Sequence, residues 1–159
     1  MDDFELWSHH AFCTFMVRHR GYALQWVMRQ TEDLCLLAVQ QDGTALCYVE
    51  FQTSAVCKAA VQQNGLALRD VKCQSTDLCL LAVQQNGYAL QYVKNKTEDI
   101  CRAAVQKNGR AIAFVRDPTD ELKILAVQQD GLALEYFKTK TMDMCKIAVH
   151  QNREVLQYL

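Results

Sequence analysis

Between residues 34 and 41 the positions Leu34, Leu37, Ala38 and Gln41 stand at i, i+3, i+4 and i+7, the spacing of one face of a short amphipathic helix. After Asp42 and Gly43 comes a second, shorter apolar set: Ala45, Leu46, Tyr48 and Val49. This two-part pattern returns every 22 residues. All 6 glycines obey the interval: Gly21, Gly43, Gly65, Gly87, Gly109 and Gly131. Other columns run in step with them. Cys13, Cys35, Cys57, Cys79, Cys101 and Cys145 form one, broken by Lys123. Ala38, Ala60, Ala82, Ala104, Ala126 and Ala148 form another, each followed directly by valine. A fixed period in this range is the signature of a repeat architecture.

Each unit reads as two short helices. Thr31, Thr53, Thr97, Thr119 and Thr141, with Ser75 in one unit, stand where an N-cap hydroxyl is wanted. Acidic residues such as Glu32, Asp33, Glu98 and Asp99 follow, where they complement the helix dipole. Asn or Asp then precedes the glycine, which is expected to end the first helix in a left-handed conformation. Helices this short are marginal alone in water, so their apolar faces must be buried against neighbouring units. The predicted fold is all-α: an α-solenoid of about seven 22-residue helix-turn-helix repeats, forming a single domain. The units fall at about 9–30, 31–52, 53–74, 75–96, 97–118, 119–140 and 141–159, with residues 1–8 as an N-terminal cap.

Other architectures fit less well. Asn-Gly is a strong hairpin signal, but its flanks do not alternate with period two and are rich in the helix formers Ala, Leu and Gln. Lipid-surface helices also show a 22-residue period, yet they are interrupted mainly by proline, and here Asn-Gly breaks the middle of each unit. Half the residues are hydrophobic, but no run approaches the ~18 apolar residues of a membrane span. The acidic opening, with Asp2, Asp3 and Glu5, lacks the basic region of a signal peptide, so an intracellular, cytoplasmic protein is expected. The 8 cysteines do not overturn that expectation. Equivalent residues of stacked repeats lie on the order of 10 Å apart, too far for a disulfide. The column reads as a set of small buried hydrophobes, whereas Cys47 and Cys73 lie outside it and are candidates for reactivity.

Charge adds little. The net charge is −1, with six Lys/Arg against nine Asp/Glu in residues 1–79 and eleven against nine in residues 80–159. Two glutamine ladders are the most regular polar feature: Gln40, Gln62, Gln84, Gln106 and Gln128, and beside them Gln41, Gln63, Gln85, Gln129 and Gln151. They suit either a polar binding strip or the satisfaction of helix-end backbone groups. The second role is favoured because the ladders do not vary from unit to unit. Specificity is expected instead in two variable columns. One holds Tyr22, Thr44, Leu66, Tyr88, Arg110 and Leu132, and the other, three residues on, includes Arg69, Gln91 and Glu135. A basic column, Lys72, Lys94, Arg116 and Lys138, is expected at the end of the second helix and suggests an alternative phosphate-tracking edge for nucleic acid. The isoelectric point near 6.4 lacks the basic footprint of such modules. His9, His10, Cys13 and His19 do not make a compact zinc motif, so neither metal nor cofactor is expected. No Gly-rich phosphate loop or nucleophile elbow is present, and no enzymatic activity is expected.

The combination Cys79, Ala82, Val83, Gln84, Gln85, Asn86, Gly87, Ala89, Leu90, Tyr92 and Val93 resembles a family of short helical repeats of unknown function, common in giant DNA viruses of amoebae and in some amoeba-associated bacteria. The resemblance runs from about Cys13 to Leu159, with departures at residues 17–21, at Lys123 and at Arg153. It carries over no catalytic residues. It implies a virus- or effector-type scaffold for protein–protein interaction or assembly, acting in host cytoplasm or virion. The last unit holds Val155, Leu156, Tyr158 and Leu159, an apolar edge expected to be exposed and to favour self-association.

Overall fold

The computed structural model describes residues 9–158. The expected N-terminal cap over residues 1–8 lies outside the described residues, as do Leu159 and the side chain of Tyr158. Among the described residues there is no strand, and α-helices alternate with 3-10 helices. The α-helices, each of ten residues, are α1 His10–His19, α2 Glu32–Gln41, α3 Ser54–Gln63, α4 Thr76–Gln85, α5 Glu98–Lys107, α6 Asp120–Gln129 and α7 Met142–Gln151. The 3-10 helices, each of six residues, are η1 Gly21–Trp26, η2 Gly43–Tyr48, η3 Gly65–Asp70, η4 Gly87–Tyr92, η5 Gly109–Phe114, η6 Gly131–Tyr136 and η7 Arg153–Tyr158. This is the expected all-α repeat with the expected period, but the second helix of each unit is a 3-10 helix.

The threonine caps form as the sequence predicts. In α2 the Thr31 hydroxyl accepts from the Leu34 N–H at 3.4 Å, and Thr53, Ser75, Thr97, Thr119 and Thr141 repeat the bond. The other end of the helix differs from expectation. No described residue has a positive φ, glycines included. The turn is made by the residue before the glycine, which is extended: Asn86 has φ −147 and ψ 110. Its side chain accepts from the Tyr88 N–H at 3.0 Å, and its carbonyl accepts from the Ala89 N–H at 2.8 Å, the first 3-10 bond. Asn and Asp are therefore N-caps of the second helix rather than partners in a left-handed stop.

Glycine is required for a different reason. A Cβ placed on Gly87 would lie 2.6 Å from the Ala104 carbonyl oxygen and 2.9 Å from the Asn108 Cβ, both in the following repeat. Gly21 and Gly43 meet Ala38 and Ala60 in the same way, each at 2.5 Å. The backbones of successive repeats touch at this point, and a methyl group does not fit between them.

Packing divides the chain into two units, Met1–Ala82 and Val83–Leu159. In the first, α2 packs on α1 and η1, α3 packs on α2 and η2, and η1, η2 and η3 lie side by side. In the second, α5, α6 and α7 pack on η4, η5 and η6, and η4 through η7 are neighbours in series. Both units build the same core. Each of the five inner repeats buries Ala and Val from its α-helix and Ala and Leu or Ile from its 3-10 helix, as with Ala38, Val39, Ala45 and Leu46 in one and Ala104, Val105, Ala111 and Ile112 in another. Cys13, Cys35, Cys57, Cys79 and Cys101 are buried beside them. Val155 is fully buried, against the expected exposed edge of the last unit, because its position continues the alanine column of the 3-10 helices; Leu156 is 58% exposed.

The glycine contact yields a direct test. Gly87→Ala is expected to destabilise the protein by about 1–3 kcal/mol, the typical cost of overpacking, despite the better helix propensity of alanine. Gln84→Ala, at an exposed site, is expected to stay within ~0.5 kcal/mol. Urea unfolding followed by circular dichroism measures both, and equal stability of the two variants would show that the repeats do not meet at the glycine.

Candidate functional site

A 3-10 helix has three residues per turn, so side chains at i and i+3 stand over one another. The two variable columns are three residues apart, and the structure brings them onto one edge of each 3-10 helix. In η2, Gly43, Ala45 and Leu46 face the core, leaving Thr44, Cys47 and Tyr48 exposed. Tyr22 and Tyr88 are exposed, Leu66, Arg110 and Leu132 are half-buried, and Arg69, Gln91 and Glu135 are exposed. Because neighbouring 3-10 helices lie side by side within each unit, these positions form a continuous strip there.

The aromatic column, which the apolar pattern assigns to the second helix without distinguishing core from surface, joins this strip. Trp26 is 47% exposed and Tyr136 44% exposed. The Tyr22 and Trp26 rings meet edge to face with centroids 5.9 Å apart. Tyr88 meets Phe114 of the next repeat in the same manner at 6.3 Å. The aromatic side chains were not distinguishable as surface groups in the sequence, because period-two and period-3.6 patterns say nothing of a three-residue turn.

Electrostatics links the repeats along the strip. Arg110 Nε donates to Asp130 Oδ2 at 2.8 Å, and Asp130 Oδ1 accepts from the Leu132 N–H at 2.9 Å. One carboxylate thus caps η6 and holds an arginine of η5. Burial opposes the Arg110 charge, but Asp130, together with Glu135 and Tyr136, outweighs it and raises the pKa. The hydrogen bond to Glu135, then burial, pushes the Tyr136 phenol up, so it remains a protonated donor.

The basic column lies just beyond the 3-10 helices rather than within them. Lys72, Lys94, Arg116 and Lys138 are exposed connector residues, one place past the C-caps Val71, Val93, Val115 and Phe137. Lys72 Nζ donates to the Glu50 carbonyl at 2.9 Å. Each connector runs directly into an α-helix, and in the second unit those first turns carry Glu98, Asp99, Asp120, Glu121 and Asp143. Both signs of charge therefore share this edge.

The glutamine ladders are exposed at both positions. The second ladder reaches back to the preceding repeat: Gln63 Oε1 accepts from the Gly43 N–H at 2.7 Å, and Gln151 Nε2 donates to the Gln128 carbonyl. A further glutamine column, Gln30, Gln52 and Gln74, has the clearest structural role and was not singled out by its sequence. Gln52 Nε2 donates to the Asp70 carbonyl at 2.8 Å, while its Oε1 accepts from the Lys72 N–H at 2.9 Å. Gln30 straps the Tyr48 carbonyl and the Glu50 N–H in the same way. Its 22-residue spacing was visible, but only three units carry it, before Lys96, Pro118 and Lys140 replace it.

Burial pushes up the thiol pKa values of Cys13, Cys35, Cys57, Cys79 and Cys101, because it disfavours the thiolate. Cys47 and Cys73 are exposed; burial, then Asp70, raises the Cys47 thiol. His9 and His10 are exposed while Cys13 is buried in the core. Among the described residues no three of His, Cys, Asp and Glu gather as a metal site, and no helix is long and apolar enough to cross a membrane.

The two kinds of glutamine separate in mutagenesis. Gln52→Ala leaves a carbonyl and an N–H without their partner and is expected to cost about 1–2 kcal/mol. Gln40→Ala is expected to change stability by less than ~0.5 kcal/mol. Thermal unfolding of the two variants against wild type gives the comparison; a larger loss at Gln40 would reverse the assignment.

Comparison with known proteins adds no activity. No curated protein and no solved structure matches the chain. Residues 56–97 and 75–123 are similar to the family described as Domain of unknown function (DUF4116), two overlapping matches within the helical repeats.

Proposed function

We propose that this protein is a non-catalytic repeat scaffold that binds a protein partner through the exposed edge of its 3-10 helices. The observation that carries this reading is the composition of that edge. Tyr22, Trp26, Tyr48, Tyr88, Arg110 and Tyr136 are exposed or half-buried there, and Trp, Tyr and Arg are the residues in which binding hot spots are richest. The frame beneath them repeats with few changes, while the edge varies from unit to unit. The polar groups of the edge already serve as caps and an ion pair, as Asp130 does for Leu132 and Arg110, which favours binding over catalysis. Cys35, Cys57, Cys79 and Cys101 serve as small buried hydrophobes of the core, a use of cysteine that suits a reducing, intracellular setting. The resemblance to repeats widespread in giant viruses of amoebae suits an assembly or host-directed role.

A nucleic-acid reading rests on one observation, the exposed Lys94, Arg116 and Lys138 at equivalent connector positions of the second unit. The acidic first turns on the same edge weigh against it.

One experiment distinguishes the two. Tagged wild type, a Tyr88→Ala/Tyr136→Ala variant and a Lys94→Glu/Arg116→Glu/Lys138→Glu variant are compared for co-purifying protein and for binding of RNA and DNA across a salt series. Wild type and the charge-reversed variant are expected to retain a stoichiometric protein partner. The tyrosine variant is expected to lose at least about tenfold in affinity, on the order of 1–2 kcal/mol. Absence of a protein partner, with nucleic-acid binding that falls steeply with salt and vanishes on charge reversal, would establish the other reading.

A further inference from the structure

Cys57 stands in the first half of α3 with its side chain 6% exposed. Its thiol donates to Gln52 Oε1 at 3.7 Å, and the same oxygen accepts from the Lys72 N–H at 2.9 Å. One atom thus gathers the Cys57 sulfur and the backbone at Lys72. The next residue is Cys73, whose side chain is exposed. Both cysteines line a single cleft of about 890 Å³ in the first unit, walled by Phe51, Lys58 and Leu78. The pair arises once. At the position of Cys73 the other repeats carry Arg29, Phe51, Asn95, Asp117 and Thr139. Cysteines of the core column are held apart by the repeat spacing, whereas these two belong to one repeat, and Gln52 of the preceding repeat accepts from both the Cys57 thiol and the N–H next to Cys73.

We propose that Cys57 and Cys73 are a redox-active thiol pair that a hydroperoxide converts to a disulfide within the repeat. Their burial assigns the roles. The exposed Cys73 meets the oxidant: its thiolate attacks one peroxide oxygen, the O–O bond breaks, and Cys73 becomes a sulfenic acid as hydroxide, or an alkoxide from an organic hydroperoxide, leaves. Cys57, whose pKa is raised by burial and by the neighbouring Cys73 and lowered by Lys72, then attacks the Cys73 sulfur. The S–S bond forms, the sulfenic oxygen leaves as water with the thiol proton, and two electrons have passed from the sulfurs to the peroxide. A dithiol reductant reverses the step. The linkage takes the thiol donor away from Gln52 Oε1 and ties α3 to the connector that leads into α4, across the cleft. The inference is independent of the binding role of the 3-10 edge.

The test uses the full chain, reduced and then freed of reductant. Hydrogen peroxide is added in small excess, free thiols are alkylated, and the digest is mapped by mass spectrometry without reduction. The expected product is a Cys57–Cys73 linked peptide in more than half of the monomer, removed by dithiothreitol. A disulfide needs Cα atoms ~4.4–6.8 Å apart, so the link itself reports that the connector reaches that distance. Cys73→Ala, a change at an exposed site, is expected to abolish the link and leave Cys57 unoxidised. Oxidation confined to single sulfurs, links between copies of the chain, or a link through Cys47 in place of this one would overturn the proposal.

Discussion

Where one repeat meets the next, the Cα of a glycine rests against the carbonyl oxygen of an alanine in the following α-helix. At Gly21, Gly43 and Gly87 a Cβ would fall 2.5–2.6 Å from that oxygen, closer than carbon and oxygen can stand. Much of the repeat follows from this contact. The partner residue is itself fully buried, so alanine fills its column. The residue before the glycine must turn the chain without left-handed geometry, so Asn or Asp takes an extended conformation and caps the next helix with its own side chain. The N–H of Gly43 faces the next repeat and is taken by Gln63, which gives one glutamine ladder its place.

The two helices of each repeat then divide the work. The α-helix supplies an apolar face built on Ala and Val and a start capped by threonine or, once, serine. The 3-10 helix contributes alanine and leucine to the core, and its three-residue turn collects the remaining positions on one outer edge. Columns that are merely three apart in sequence become neighbours in space. Aromatic side chains touch there, within a repeat at the exposed Tyr22 and Trp26 and between repeats at the exposed Tyr88 and the half-buried Phe114. Arg110 is held there by the carboxylate that caps the following helix.

Departures from the repeat are as informative as the repeat itself. The glutamine column of Gln30, Gln52 and Gln74 gives way to Lys96, Pro118 and Lys140, and in the first unit Gln30 and Gln52 bond the connectors through their amides. The second unit relies more on charge, as in Arg102 with Glu98 at 3.0 Å and Glu121 at 3.7 Å. At Cys73 an exposed thiol enters the connector beside a strapped, buried one. Such differences sit in connectors and on the 3-10 edge, where a side chain can change without disturbing the glycine contact.

The period, the all-helical class, the threonine caps and the buried Ala, Val and Cys columns were determined by sequence alone, because each depends on local spacing or local hydrogen bonding. The variable columns were visible for the same reason. Only tertiary structure decided what the glycines do, since their constraint is a backbone atom 17 residues away, Ala104 for Gly87. It also decided that the second helix is 3-10, because Asn and Asp support either a left-handed stop or an extended cap and packing selects between them. That choice moved the aromatic column to the surface strip, buried Val155 and placed the basic column in the connectors. Side-chain direction over a six-residue helix depends on residues per turn, and the apolar pattern of so short a segment does not specify that number.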